Sequence, residues 1–171
     1  MTPNEKDIFI EKELYHELRC LLGATTLWQT YKKGEMGFDV IVAMDSAFIH
    51  ARNLFIFFAP TKEDKNNKNS IKVMEFGLLK PYSSNVYSDC KEALNRHLFH
   101  LNKKRLNATN LKKSGHINEK VEIFAKEVLL LWERFENDAQ SSQYHEALKA
   151  ARVRAIEDAR NDAENRIESI F

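Results

Sequence analysis

The sequence predicts an all-α protein: an antiparallel helical bundle of four core helices followed by a charged C-terminal helix. Three observations point to this class. Apolar residues recur at spacings of three and four through the long segments. Only 5 Gly and 3 Pro occur in 171 residues, whereas an all-β sandwich or barrel turns roughly every 8–12 residues. Hydrophobic residues make up 43% and charged residues 30%, a globular rather than a disordered composition. A chain of this length buries roughly 70% of its unfolded surface, so it needs neither metal nor disulfide to fold.

The first helix starts at Thr2-Pro3-Asn4-Glu5, where Thr2 caps, Pro3 suits the first turn and Glu5 returns to the cap. Leu14, Leu18, Leu21, Thr25 and Trp28 form its buried stripe as far as Lys33, and Gly34 and Gly37 end it. The second helix spans Phe38 to Phe58 and stops before Pro60. It is apolar on nearly all sides, as the central helix of a bundle is. Residues 61–70 read as a polar surface loop, and Ser70 to Phe76 as a short extended segment. The third helix runs from Ser83-Ser84 to Leu106, with Tyr87, Cys90, Leu94, Leu98 and Leu101 facing inward. The fourth starts near Asn118 and carries Val121, Phe124, Ala125, Val128, Leu131, Trp132 and Phe135 at a period near 3.6.

Residues 1–139 therefore form a helical bundle domain. Residues 140–171 form a charged helix that is either part of the same domain or a dimerisation arm. Its apolar stripe is mostly alanine, and burial stabilises by only about 25 cal/mol per Å² of apolar surface. The expectation is that it packs on a second chain or extends as an arm. Arg154–Asp158, Arg160–Glu164 and Asp162–Arg166 are spaced four apart and support the helix.

Charge and cysteine content remove several function classes. Lys+Arg is 26 and Asp+Glu is 25, so the chain is not a globally basic nucleic-acid binder. Cys20 and Cys90 stand far apart in no CxxC pair, which excludes a disulfide framework and a zinc ribbon. The charged N-terminus has no signal-peptide core. The apolar runs Val40–Met44 and Leu54–Ala59 are too short to span a membrane. A reduced, cytoplasmic protein without a membrane segment is expected. No Gly-rich phosphate loop, GxSxG or HExxH is present, and no cofactor is expected.

Two helices carry candidate chemistry. On the third, Arg96, His100 and Lys103 fall within about 60° of one another, opposite the Leu stripe. His100 could act as general acid or base on a ribose 2′-hydroxyl or a leaving oxygen while Arg96 stabilises phosphate charge. Between Lys91 and Lys113 seven residues are positive and only Glu92 is negative, a local balance of +6 that suits a nucleic-acid backbone. Lys103, Lys104 and Arg105 are the RNA-binding candidates there. The second helix carries His50 and Arg52 among apolar residues. A charged Arg on such a helix needs a partner, and Asp45, Asn95 and His97 are the supporting polar candidates. His97-x-x-His100 lacks the Glu of a di-metal bundle motif, so no metal site is predicted.

The segments IHARNLFIFF and LNRHLFHLNKKRL together resemble bacterial proteins of the HEPN type (higher eukaryotes and prokaryotes nucleotide-binding domain). The likeness covers roughly residues 38–106. It implies an antiparallel helical bundle, often dimeric, and in many members a metal-independent ribonuclease of a toxin or phage-defence system. The family signature places four to six residues between an Arg and a His, and here three separate Arg96 from His100. Two classes stay open: a ribonuclease using Arg96 and His100, and a non-catalytic helical interaction protein. Expected partners are RNA, a second copy of the chain, or another protein.

Overall fold

The computed structural model describes residues 1–31, 38–66, 70–99, 120–140 and 142–168. Among these residues all regular structure is helical. The elements are α1 (Pro3–Ile8), a π-helical stretch (Phe9–Leu14), α2 (Tyr15–Tyr31), α3 (Phe38–Phe58), α4 (Lys62–Lys65), a 3₁₀ turn (Val73–Phe76), α5 (Asn85–Phe99), α6 (Val121–Asp138) and α7 (His145–Glu168).

The expected first helix is present, with a change of pitch inside it. Thr2 and Glu5 close a capping box: the Glu5 amide donates to Thr2 Oγ1 at 3.3 Å, and the Thr2 amide to Glu5 Oε2 at 2.7 Å. The π stretch at Phe9–Leu14 then inserts its wider turn without ending the helix. It sets Phe9 against Phe57 and Phe76, while Ile10, Leu14, Leu18 and Leu21 stay in the core.

Helix α3 is the central element. Phe48, Ala51, Leu54, Phe55 and Phe58 are fully enclosed, and Met44 is buried. Contacts on its sides fix the directions of its neighbours. Phe9 meets Phe57 while Glu17 meets His50, so α2 runs antiparallel to α3. Phe55 stacks on Tyr87 while Arg52 reaches Asn95, so α5 is antiparallel as well. Phe48 meets Phe124 while Phe58 meets Phe135, so α6 runs parallel to α3. Of the described residues, only Asp39–Phe58 make a helix long and apolar enough to cross a membrane, and half of that stretch is buried inside the bundle.

The segment expected to be extended is a 3₁₀ turn. Its Phe76 joins an aromatic cluster with Phe9, Phe57, Phe135 and Tyr144. Gly77, at φ 99°, ends it in the left-handed region open to glycine. Within the expected polar loop, residues 62–65 form the short α4, capped by Thr61 and Asp64.

The C-terminal helix α7 does not extend from the bundle as an arm; it lies along α2 of its own chain. Leu148, Ala151, Ala155, Ala159 and Ala163 are all buried. Small residues allow this: a Cβ built on Gly23 would stand 3.7 Å from the Ala159 carbonyl oxygen, so the two backbones approach closely. The flanking charges reach across to α2 as well as along the helix. Arg19 holds Asp162 through Nε at 2.6 Å and Nη2 at 2.8 Å, Tyr15 donates to Asp158, and Arg154 donates to the Glu11 carbonyl at 2.8 Å. Each pair is 143 positions apart, so α2 and α7 run parallel in register. Arg160–Glu164 keeps the expected spacing along the helix, at 4.0 Å. Ile156 faces away from this contact and is 42% exposed. At the other side of α7, Arg152 pairs with the buried Glu136 of α6 at 2.9 Å, and Trp132 Nε1 donates to the Leu148 carbonyl at 3.3 Å.

Candidate functional site

Arg52 and Asn95 join α3 to α5. Arg52 is half-buried on α3 and its Nε donates to Asn95 Oδ1 at 2.8 Å. Asn95 follows the inward-facing Leu94, which is fully buried. The apolar stripe of α5 thus sets the rotation of the helix, and the amide turns toward the guanidinium. The acceptor for Arg52 Nε is thus a neutral amide carbonyl, from one of the supporting polar candidates.

Two turns earlier on α5, Tyr87 is enclosed against Phe55 and donates to Asp64 Oδ2 at 3.2 Å. Burial first, and the nearby Asp64 charge second, push the Tyr87 hydroxyl well above the ordinary tyrosine range. Asp64 also receives Lys91 Nζ at 3.0 Å, and Lys91 reaches Glu63 at 3.0 Å. Lys91 was counted in the basic stretch, but it is neutralised by α4.

Arg96 and His97 occupy the last turn of α5, and their side chains lie outside the described residues, as do His100, Lys103, Lys104 and Arg105. Asp45 is half-buried on α3.

His50 turns away from the Arg52–Asn95 bond. It faces α2. Its Nδ1 lies 2.8 Å from Glu17 Oε2, and Asn53 Nδ2 donates to both Glu17 oxygens at 3.2 Å. The reason is rotational: two residues on a helix are about 200° apart, so His50 and Arg52 leave α3 on opposite sides. Burial pushes the His50 imidazolium down, but hydrogen bonds with Cys20 and Glu17 outweigh it and hold the ring up at about 9. His16 completes the group. Its ring meets the His50 ring edge-on at 5.9 Å, and its Nε2 lies 3.6 Å from Cys20 Sγ.

Glu17, Cys20 and His16 were not candidates from sequence. The available signal was the spacing: 16 and 20 lie one turn apart on one helical face, and 17 adjoins them. Two clefts flank the group. One, of about 330 Å³, is lined by Glu13, Glu17, Arg52, Asn53 and Ile71. The other, of about 570 Å³, lies between α2, α3 and α7 and takes Cys20 and Gly23 into its wall. No group of acidic, His and Cys side chains among the described residues is arranged to hold a metal ion. Comparison with protein-family models, curated proteins and solved structures finds no match.

Proposed function

We propose that the chain is a HEPN-like helical bundle acting as a metal-independent ribonuclease, with Arg96 and His100 as its reacting pair and a toxin or phage-defence role. The observation that supports this reading is the 2.8 Å bond from Arg52 to Asn95. It ties together the two segments on which the likeness rests and fixes the rotation of α5 one residue before Arg96. In this mechanism His100 exchanges a proton with the ribose 2′-hydroxyl or the leaving oxygen, and Arg96 offsets the growing phosphate charge. Lys103, Lys104 and Arg105 hold the RNA backbone.

A second reading is a non-catalytic HEPN-like interaction protein acting through a second copy or another protein. It is favoured by the outer face of α3, where Ile41, Val42 and Ile49 are 42–44% exposed. Such residues on the most apolar helix form a contact surface in search of a cover.

Incubation of purified protein with labelled RNAs, with and without EDTA, separates the two. Cleavage that survives EDTA and is lost in His100→Ala supports the ribonuclease. Varied RNAs left intact in both conditions leave the interaction protein, and light scattering then asks whether Ile49→Lys lowers self-association.

A further inference from the structure

The Glu17–His50–Cys20–His16 group belongs to neither reading above, and it contains a nucleophile. Cys20 is half-buried, not enclosed. Its sulfur lies 3.6 Å from His16 Nε2, and the His16 ring meets the His50 ring edge-on at 5.9 Å. The His50 ring is held from behind by Glu17 at 2.8 Å, and Glu17 is held in turn by Asn53. This order of carboxylate, imidazole and thiol orients a nucleophile.

The surroundings decide what the thiol can attack. An acyl-transfer site needs donors aimed at a developing oxyanion. Cys20 lies in the middle of α2, where backbone N–H groups are already spent on the helix. Acyl chemistry therefore has no support here, whereas attack at sulfur needs only a nucleophile, access and a place for the electrophile. The cleft of about 570 Å³ at Cys20 provides that place, within the range of roughly 300–1,000 Å³ that small molecules occupy.

We propose that Cys20 is a nucleophilic thiol that exchanges with low-molecular-weight disulfides bound in the cleft between α2, α3 and α7. The Cys20 sulfur attacks one sulfur of the disulfide. A bond forms between them as the disulfide bond breaks, and the departing sulfur takes the electron pair and the proton given up by Cys20. Cys20 is oxidised, the small disulfide is reduced, and no further oxidant is consumed.

Cys90 is an internal control. It is also half-buried, but it has no such setting on α5, and burial pushes its thiol up. The test treats the full chain with oxidised glutathione under native conditions and follows both cysteines by peptide mass mapping. The expected result is mixed disulfide on Cys20 at least about tenfold faster than on Cys90. His50→Gln and Glu17→Gln should each slow Cys20 while leaving Cys90 unchanged, with helical content checked by circular dichroism. Equal or slower reaction at Cys20 in the unaltered protein overturns the proposal without any variant. So does an unchanged Cys20 rate in a folded His50→Gln protein.

Discussion

Glu17 and His50 meet across two antiparallel helices with 2.8 Å between Oε2 and Nδ1, and this contact ties the stability of the α2–α3 pair to pH. The His50 ring is held at about 9, above its ordinary 6.5. A group raised on folding stabilises fully below its unfolded value and loses that contribution as pH climbs through its folded value. The window is therefore about 6.5 to 9. His50 is partly exposed, so solvent screening limits the effect to about 1 kcal/mol. Urea unfolding should show wild type ahead of His50→Gln at pH 6, with the gap narrowing by pH 9.5. A gap independent of pH would contradict the contact.

The Arg52–Asn95 bond predicts a measurable coupling between α3 and α5. A hydrogen bond with one charged partner contributes roughly 1.5–3 kcal/mol. Arg52→Ala, Asn95→Ala and the double variant, compared by chemical unfolding, should give a coupling energy within that range. Additive losses would mean that this bond does not couple the two helices.

Glu136 and Arg152 form a more enclosed pair, with the Glu136 side chain 9% exposed. The bond to Glu136 pushes the Arg152 guanidinium above its already high range, so the guanidinium stays charged at all ordinary pH. Arg152→Met leaves a buried carboxylate without its cation and should cost about 3–5 kcal/mol. Glu136→Met with Arg152→Met replaces the pair by apolar packing and should recover most of that loss. A double variant no more stable than Arg152→Met would show that the pair itself holds the α6–α7 hairpin.

Gly23 offers a gain. A Cβ there meets Ala159 at 3.7–4.0 Å, ordinary van der Waals contact. Gly23→Ala should therefore raise stability by about 0.5–1 kcal/mol, through helix propensity alone. A larger residue would push α7 away from α2. Thermal unfolding that ranks Gly23→Ala above wild type and Gly23→Leu below it would bear this out. The reverse order would mean that the helices cannot give at all.

Much of the fold was legible because burial writes itself into periodicity. Leu14, Leu18 and Leu21 on the first helix, and Val121 to Phe135 on the fourth, announced their inward faces. The extent of α3 followed from Phe38 and Pro60. The position of α7 was hidden by the same reasoning. An alanine stripe looks weak when only buried area is weighed, and the glycine that accepts it lies 136 residues earlier. Pairs four apart read as local, whereas Asp158 and Asp162 serve Tyr15 and Arg19. At the site, Arg52 and Asn95 were legible as polar exceptions on apolar helices. The Glu17–His50 contact was not, since polar residues on a half-exposed face carry no sign of which neighbour they will meet.

The parallel register of α2 and α7 has a consequence for how the chain is made. Glu11, Tyr15 and Arg19 are translated 143 residues before the partners that complete them. The first long helix thus leaves the ribosome with a groove whose occupant has not been synthesised. Helical proteins usually mature quickly through local contacts, but here a defining contact closes a loop of nearly the whole described chain. A nascent chain stopped before residue 145 would leave the alanine seat at Gly23 open and Trp132 Nε1 without the Leu148 oxygen. Transiently exposed apolar surface of this kind is what makes incompletely made chains prone to aggregate.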